Sequence, residues 1–186
     1  TDRPAARKRN NPYTPEAQTA QAMQLMKKLG IEKPVLIGHS AGGNLAMRLA
    51  IENPESFKAL ILISPGIFTE IPPKLIRELF NLDLLDPIGL NIVRGIPQQI
   101  DSLLERTYYN PESVSEYMLN AYTQPLKIKN WDRAIWEYVK AQNDTMLKYN
   151  LDKITIPVLI IQGREDRIIP VFNNRILADA LPDAEL

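Results

Sequence analysis

Three short apolar runs constrain the fold of this chain more than any other feature. They are residues 34–38, 59–63 and 158–161. Short, wholly apolar runs are typical of strands that are buried on both faces of a sheet. Segments with helical spacing precede the first run and separate it from the second. This alternation predicts an α/β fold, in which helices cover both faces of a mainly parallel sheet.

Two helices are marked before the second apolar run. The first is predicted over residues 15–29, because Thr14 is a good N-cap, Pro15 suits the first turn and Gly30 suits the position just past the end. Its apolar face is expected to pack against the sheet. The residues on that face are Ala22, Leu25, Met26 and Leu29. The second helix is predicted from Ala41, with helical spacing through Ala50, and is expected to stop before Asn53.

A long interval, residues 70–150, shows no strand pattern and is predicted to be a helical insertion. Its Pro and Gly residues divide it into short helical pieces, expected at residues 74–81, 98–108, 114–122 and 132–143. Most connections between strands need far fewer residues, so the insertion is expected to have its own role. The predicted organisation is therefore an α/β core of residues 1–69 and 151–186, with an insertion of residues 70–150.

Composition excludes several classes of function. Lys and Arg together number 22 and so do Asp and Glu, so no excess positive charge favours nucleic acid, and a polyanionic partner is not expected. The chain has no Cys, which excludes disulfides, thiolate catalysis and Cys-ligated zinc. No apolar run approaches the roughly 18–20 residues of a membrane span. The sequence does not fix the compartment, and the cytoplasm is taken as the default.

Residues 38–42 read Gly-His-Ser-Ala-Gly and lie between a predicted strand and a predicted helix. In that context the G-x-S-x-G pattern predicts a tight, strained turn that exposes Ser40 as a nucleophile. Crowding at this turn is the expected reason for Gly38 and Gly42. The alternative is a glycine-rich corner that only joins a strand to a helix.

The helix after Ser40 contributes its own electrostatics. Ala41 is expected at the amino end of that helix, where N–H groups are free and the helix dipole favours negative charge. The backbone N–H of Ala41 is therefore the predicted oxyanion donor.

Three blocks carry a family resemblance: residues 38–43, residues 60–65 and residues 163–170. In their motifs and their order, the sequence resembles a cap-bearing serine hydrolase of the α/β-hydrolase fold superfamily along its whole length. The resemblance implies a partial α/β-hydrolase fold, with residues 70–150 as the cap over the serine. It also implies hydrolysis of an ester or similar small, apolar substrate through an acyl-enzyme, with no cofactor and no metal. Dehalogenases and epoxide hydrolases of this superfamily have Asp where Ser40 stands, so those reactions are disfavoured.

The resemblance further implies that Asp166 is the acid that orients a catalytic imidazole, in the order Ser, Asp, His. Glu165 is the nearest competitor for this role. The alternative for Asp166 is a turn-forming residue or an ion-pair partner of Arg164 or Arg167.

The base is the missing part, because His39 is the sole histidine. Adjacent strand residues point in opposite directions, so His39 is not expected to reach Ser40 and is expected to pack beneath the turn. The resemblance places the catalytic histidine beyond residue 186, after a further strand that is expected not to form within the chain. It also places a second oxyanion donor on a loop before residue 1, and leaves residues 35–37 with an unpaired edge. A non-catalytic ligand-binding or signalling protein, or an inactive fragment, remains the alternative.

Overall fold

The computed structural model describes residues 11–68, 82–141 and 147–186. The chain divides into two compact units. The sheet unit consists of Thr14–Thr69 and Asp144–Leu186, and the helical unit of Thr1–Tyr13 and Glu70–Asn143. The helix expected at residues 74–81 lies outside the described residues.

The described elements follow one another along the chain as helix, strand and short turn. In chain order they are α1 (Pro15–Leu29), β1 (Val35–His39), α2 (Ala41–Glu52), β2 (Ala59–Ile63), α3 (Asp86–Arg94), α4 (Ile96–Thr107), α5 (Glu116–Thr123), α6 (Trp131–Ala141), β3 (Val158–Ile161), α7 (Val171–Ala180) and β4 (Ala184–Glu185). Short 3-10 turns occupy Pro54–Ser56, Asp83–Leu85, Pro111–Ser113, Gln124–Lys127, Leu147–Tyr149 and Leu151–Lys153.

The sheet has four parallel strands in the order β1-β2-β3-β4. His39 lies opposite Ile63, and Ile63 lies opposite Ile161, so the carboxyl ends of β1, β2 and β3 lie side by side along one edge of the sheet. The three predicted strands are confirmed. The expectation that no further strand forms before residue 186 is wrong, because Ala184–Glu185 pairs with β3.

The core of the sheet unit lies on one face of the sheet, under α2 and α7. Its buried residues include Ala46, Met47, Ala50, Leu60, Leu62, Val158, Ile160, Leu177 and Leu181. Alternate residues of β2 and β3 supply this face, as the two-residue period of a strand requires. Removing these apolar side chains from water is the main force that holds the helices on the sheet.

The opposite face of the sheet is open over the described residues, which corrects the prediction of helices on both faces. Ile37 is 67% exposed, Ile161 48% and Leu159 40%. The physical reason is the strand order: right-handed crossovers that always step in the same direction place every connecting helix on the same face. In the described part of the sheet β1 is an edge strand, as expected for residues 35–37.

The bounds of α1 are those predicted. The Thr14 hydroxyl accepts a hydrogen bond from the N–H of Ala17 at 3.2 Å, and Gly30 ends the helix in the left-handed region with φ of 65°. Glycine adopts that conformation without the cost that a Cβ would impose. α2 also follows its prediction and ends at Glu52.

The packing of α1 differs from the prediction. Leu25 and Leu29 are 56% and 61% exposed instead of covered by the sheet. α1 contacts α2, where the buried Arg48 pairs with Glu16 at 2.7 Å and with Glu52 at 2.7 Å. A helix with an apolar stripe can rest on another helix instead of on the sheet, so the stripe alone did not determine its partner.

The helical unit contains four described helices, α3 to α6. Those expected at residues 98–108, 114–122 and 132–143 are confirmed as α4, α5 and α6 with shifted ends. α3 was not predicted, because Pro87 and Gly89 read as helix breakers. Pro87 lies in the first turn, where proline is tolerated. Gly89 is required by packing, since a Cβ there would collide with the ring of Trp136.

Trp136 joins two helices of the helical unit. It is 3% exposed, and its indole N–H donates to the Asp86 carboxylate at 2.8 Å. Lys140 pairs with the same carboxylate oxygen at 2.9 Å. These contacts join α6 to α3. Trp131 and Ile135 line an open cavity of about 590 Å³ within the same unit.

Candidate active site

Ser40 stands directly after β1 and caps α2 with its backbone. Its φ of 52° and ψ of −119° are unusual for a residue with a side chain and store local strain. Two hydrogen bonds hold this turn: the Ser40 N–H donates to Ile63 O at 3.0 Å, and the Gly43 N–H donates to Ser40 O at 3.0 Å. The half-buried Ser40 side chain makes no capping hydrogen bond to α2. Its hydroxyl is therefore not used to close the helix.

The glycines of the turn differ in how closely other atoms surround them. A Cβ on Gly38 would lie 2.5 Å from Gly42 O and 2.7 Å from Gly43 Cα, so Gly38 is needed at this position. A Cβ on Gly42 would meet nothing within 4 Å among the described residues, so the crowding expected there is not found. The second crowded position is Gly43, where a Cβ would lie 2.9 Å from Pro65 Cβ.

Ala41 is the first residue of α2 and is exposed. Its N–H has no carbonyl one turn earlier to which it could donate, and it lies at the positive end of the helix dipole. This is the chemical environment that an oxyanion requires. The role of Ala41 as oxyanion donor stays a prediction.

Asp166 lies in the turn that follows β3. Its Oδ1 accepts hydrogen bonds from the N–H groups of Ile168 and Ile169, both at 2.9 Å. Its Oδ2 accepts from the side-chain amide of Gln162 at 3.0 Å. The carboxylate is therefore held in one orientation by donors on two sides.

The charge of Asp166 is set by opposing effects. Partial burial raises the pKa of its carboxyl. Hydrogen bonds outweigh this and place the pKa below its ordinary value; the donors are the backbone N–H groups of Ile169 and Ile168 and the side chains of Ser64 and Gln162. Asp166 is thus an anion at neutral pH.

The structure distinguishes between the alternative roles that the sequence left open for Asp166. Its two backbone hydrogen bonds do shape the turn, so a turn-forming role is real. In the described part of the chain, no ion pair joins Asp166 to Arg164 or Arg167. Glu165 is exposed. The catalytic role of Asp166 stays a prediction.

Ser40 and Asp166 follow β1 and β3 at the same edge of the sheet, with β2 between them. Two strand spacings correspond to about 10 Å. An imidazole with a hydrogen bond at each ring nitrogen spans roughly 8 Å. The spacing of the strands is therefore compatible with an imidazole in the room between the serine and the carboxylate.

His39 does not occupy that room. It alternates with Gly38 and Ser40 along the strand, on the side that carries the exposed Ile37. The expectation that His39 packs beneath the turn is wrong, because its side chain is exposed. With the edge strand open on this side, the described residues provide nothing for the imidazole to pack under.

Three polar residues of this site were missed by the sequence analysis. Ser64 follows β2 and Gln162 follows β3 as Ser40 follows β1, which is a signal that could have marked them. Asn174 lies on α7 and is fully buried. Asparagine is mostly exposed in proteins, so no sequence signal marks its burial.

Neither a metal-binding cluster nor a membrane-spanning helix is found among the described residues. Over residues 11–68, 82–141 and 147–186, no group of three or more His, Asp or Glu side chains is placed to hold a metal ion. None of the helices described in these ranges is both long enough and apolar enough to cross a membrane.

The sequence of this chain is similar to a known family and to several hydrolases. The family model of the alpha/beta hydrolase fold matches residues 2–186. A hydrolase named YugF of Bacillus subtilis (strain 168) is 26% identical over 176 residues, which cover 94% of this chain and 63% of that protein. The 2-hydroxy-6-oxononadienedioate/2-hydroxy-6-oxononatrienedioate hydrolase of Comamonas testosteroni is 30% identical over 178 residues, covering 87% of this chain and 56% of the relative.

Solved structures agree with the fold. The 2-hydroxy-6-oxo-6-phenylhexa-2,4-dienoate hydrolase of Rhodococcus sp. strain RHA1 is 25% identical, with a TM-score of 0.70 over 92% of this chain and 61% of that one. An esterase of Exiguobacterium antarcticum has a TM-score of 0.71 at 17% identity, over 94% of this chain and 64% of the esterase. The chain spans less than two thirds of the length of these relatives.

Proposed function

The chain belongs to the α/β-hydrolase fold family, and we propose that the protein containing it is a serine hydrolase that cleaves an ester or similar small, apolar substrate. The observation that carries this proposal is one relationship. Ser40 lies on a strained turn at the amino end of α2, and the ionised Asp166 follows β3 at the same end of the sheet, with only β2 between their strands.

The chemistry follows from these positions. The Ser40 oxygen attacks the carbonyl carbon of the substrate while an imidazole takes the hydroxyl proton. The Ala41 N–H stabilises the negative charge on the carbonyl oxygen. The bond to the leaving group breaks, and the leaving group takes that proton from the imidazolium. Water then cleaves the acyl-enzyme by the same steps, which restores the Ser40 hydroxyl.

The base is proposed to be a histidine outside residues 1–186. His39 is exposed at the end of β1 and is the sole histidine of the chain. Asp166 would orient that external imidazole and stabilise its charged form. Because both steps use only protein groups and water, the proposal includes no cofactor or metal.

The substrate class rests on the relatives and on the insertion. Two relatives are named as hydrolases of 2-hydroxy-6-oxo acids, whose 6-oxo carbonyl is an electrophile that a serine can attack. We therefore propose esters or activated ketones as substrates. Residues 70–150 are proposed to be the cap that selects them, because of their length and their place between β2 and β3.

Labelling the complete protein with a fluorophosphonate tests the nucleophile. The expected result is one label on Ser40, lost in Ser40→Ala and retained in Ser102→Ala, an exposed serine of α4. Turnover of p-nitrophenyl esters and of 2-hydroxy-6-oxo-6-phenylhexa-2,4-dienoate then separates the two substrate classes. Labelling that persists in Ser40→Ala contradicts the proposal.

A second candidate function is a ligand-binding or signalling protein without turnover. The position of His39 favours it, since the chain itself supplies no base beside Ser40. An unlabelled Ser40 in the complete, folded protein would support this second function over the first.

A further inference from the structure

Gln162 connects the acid turn to the interior of the sheet unit. It follows β3 directly and is half-buried. Its side-chain amide nitrogen donates to Asp166 Oδ2 at 3.0 Å and to Ile169 O at 3.0 Å. Because one of its oxygens accepts this hydrogen bond, the Asp166 carboxylate cannot rotate freely about the Cβ–Cγ bond.

The orientation of this amide is fixed from behind. Asn174 on α7 donates its side-chain amide hydrogen to the Gln162 Oε1. An amide carries its donor and its acceptor on opposite branches, so a Gln162 whose oxygen faces Asn174 must turn its nitrogen towards Asp166. The reverse orientation would place the Gln162 oxygen against a carboxylate oxygen.

Asn174 itself is poorly explained by stability. It is 0% exposed, and its Oδ1 is buried with no hydrogen-bond partner among the described residues. A buried oxygen without a partner is destabilising, and an apolar side chain of similar size would avoid this cost. What Asn174 provides, and an apolar residue would not, is the hydrogen bond to Gln162.

We propose that Gln162 is a positioning residue for Asp166, and that Asn174 acts through Gln162 to aim the Asp166 carboxylate at the catalytic histidine. This inference rests on the proposed function and extends it. A correctly aimed carboxylate stabilises the imidazolium that forms in the transition state more than it stabilises the ground state. Loss of the pair therefore lowers kcat and leaves KM nearly unchanged.

The test uses the complete protein and two variants with matched controls. Gln162→Met keeps the length of the side chain and removes its amide, and Asn174→Leu removes only the second hydrogen bond. The controls are Gln24→Met, at an exposed position of α1 outside the proposed cap, and Asn173→Leu, the same change one residue earlier. Steady-state kinetics with an ester substrate and thermal unfolding are measured for all four.

The expected result is a fall in kcat of about tenfold or more in Gln162→Met, a smaller fall in Asn174→Leu, and KM within about twofold in both. Both controls keep the kcat of the wild type. Folded variants with unchanged kcat overturn the positioning proposal while the proposed function stands. Failure of both variants to fold also overturns it, since the pair is then structural. A wild type without turnover or labelling at Ser40 instead rejects the proposed function, and this inference with it.

Discussion

The side chain of Ser64 lies beside the carboxylate of Asp166 and helps to lower its pKa. Ser64 follows β2 with a positive φ of 43°, just as Ser40 follows β1 with a φ of 52°. The Ser64 N–H donates to Ile161 O at 2.9 Å, so this turn is tied to the strand that leads to Asp166. The turn after β2 thus supports Asp166, and the turn after β1 carries Ser40.

Removing the Ser64 hydroxyl should raise the pKa of Asp166 towards its ordinary value. In Ser64→Ala the carboxylate loses a donor that favours its charged form, while partial burial remains. Because the site is partly solvated, we expect the free energy of unfolding to fall by at most about 1 kcal/mol. A carbon-13 NMR titration of the Asp166 carboxyl measures the pKa, with Ser113→Ala as the control. Identical titration curves for the wild type and Ser64→Ala would reject this role.

Gly38 and Gly42 should respond differently to alanine. In Gly38→Ala the new Cβ meets the backbone of Gly42 and Gly43, so the protein should lose about 1–3 kcal/mol of stability. In Gly42→Ala the Cβ meets nothing within 4 Å, and a better helix former should stabilise by up to about 1 kcal/mol. Urea unfolding of both variants measures this difference. Equal losses would show that the turn is not crowded as described.

Asp166 should make stability depend on pH in the acid range. Its pKa is lower in the folded protein than the value of about 3.9 expected for an unfolded chain. Its contribution is therefore fully present above the unfolded pKa and is lost as the pH falls through the folded pKa. The difference in the free energy of unfolding between the wild type and Asp166→Asn should shrink on acidification. A difference that stays constant from neutral to acid pH would contradict this linkage.

His39 should be dispensable for catalysis by the complete protein. It is exposed at the last position of β1, and adjacent residues at a strand end point in different directions, so we do not expect it to take the Ser40 proton. We expect kcat/KM of His39→Gln to stay within about twofold of the wild type. By the same reasoning, residues 1–186 alone should not turn over a short-chain aryl ester. Abolished activity in a folded His39→Gln variant would refute the assignment of an external base.

Gly89 and Trp136 should be coupled in the stability of the helical unit. A Cβ in Gly89→Ala collides with the Trp136 ring, which should cost about 1–3 kcal/mol. In a Trp136→Leu background the smaller side chain leaves room, so the same substitution should cost less. A double-mutant cycle of unfolding free energies isolates this term. Strictly additive effects would mean that the two residues do not constrain each other.

Much of the fold could be predicted because its signals are local. The Thr14 cap and Gly30 define α1, and the short apolar runs define β1, β2 and β3. α3 was missed because a proline in the first turn and a glycine under a tryptophan look like breakers until their neighbours are known. The packing of α1 and the open face of the sheet depend on which elements lie beside them in space, which periodicity does not contain.

The candidate site divides in the same way. The sequence by itself determined where a strained turn carries Ser40, because a serine between glycines at a strand–helix junction is a local pattern. Only the tertiary structure decided that Gln162 contacts both Asp166 and the buried Asn174, and that Ser64, which is distant in the chain, lies beside Asp166 through strand register. It also decided that His39 is exposed to solvent, because exposure depends on what covers a strand and not on the strand's own residues.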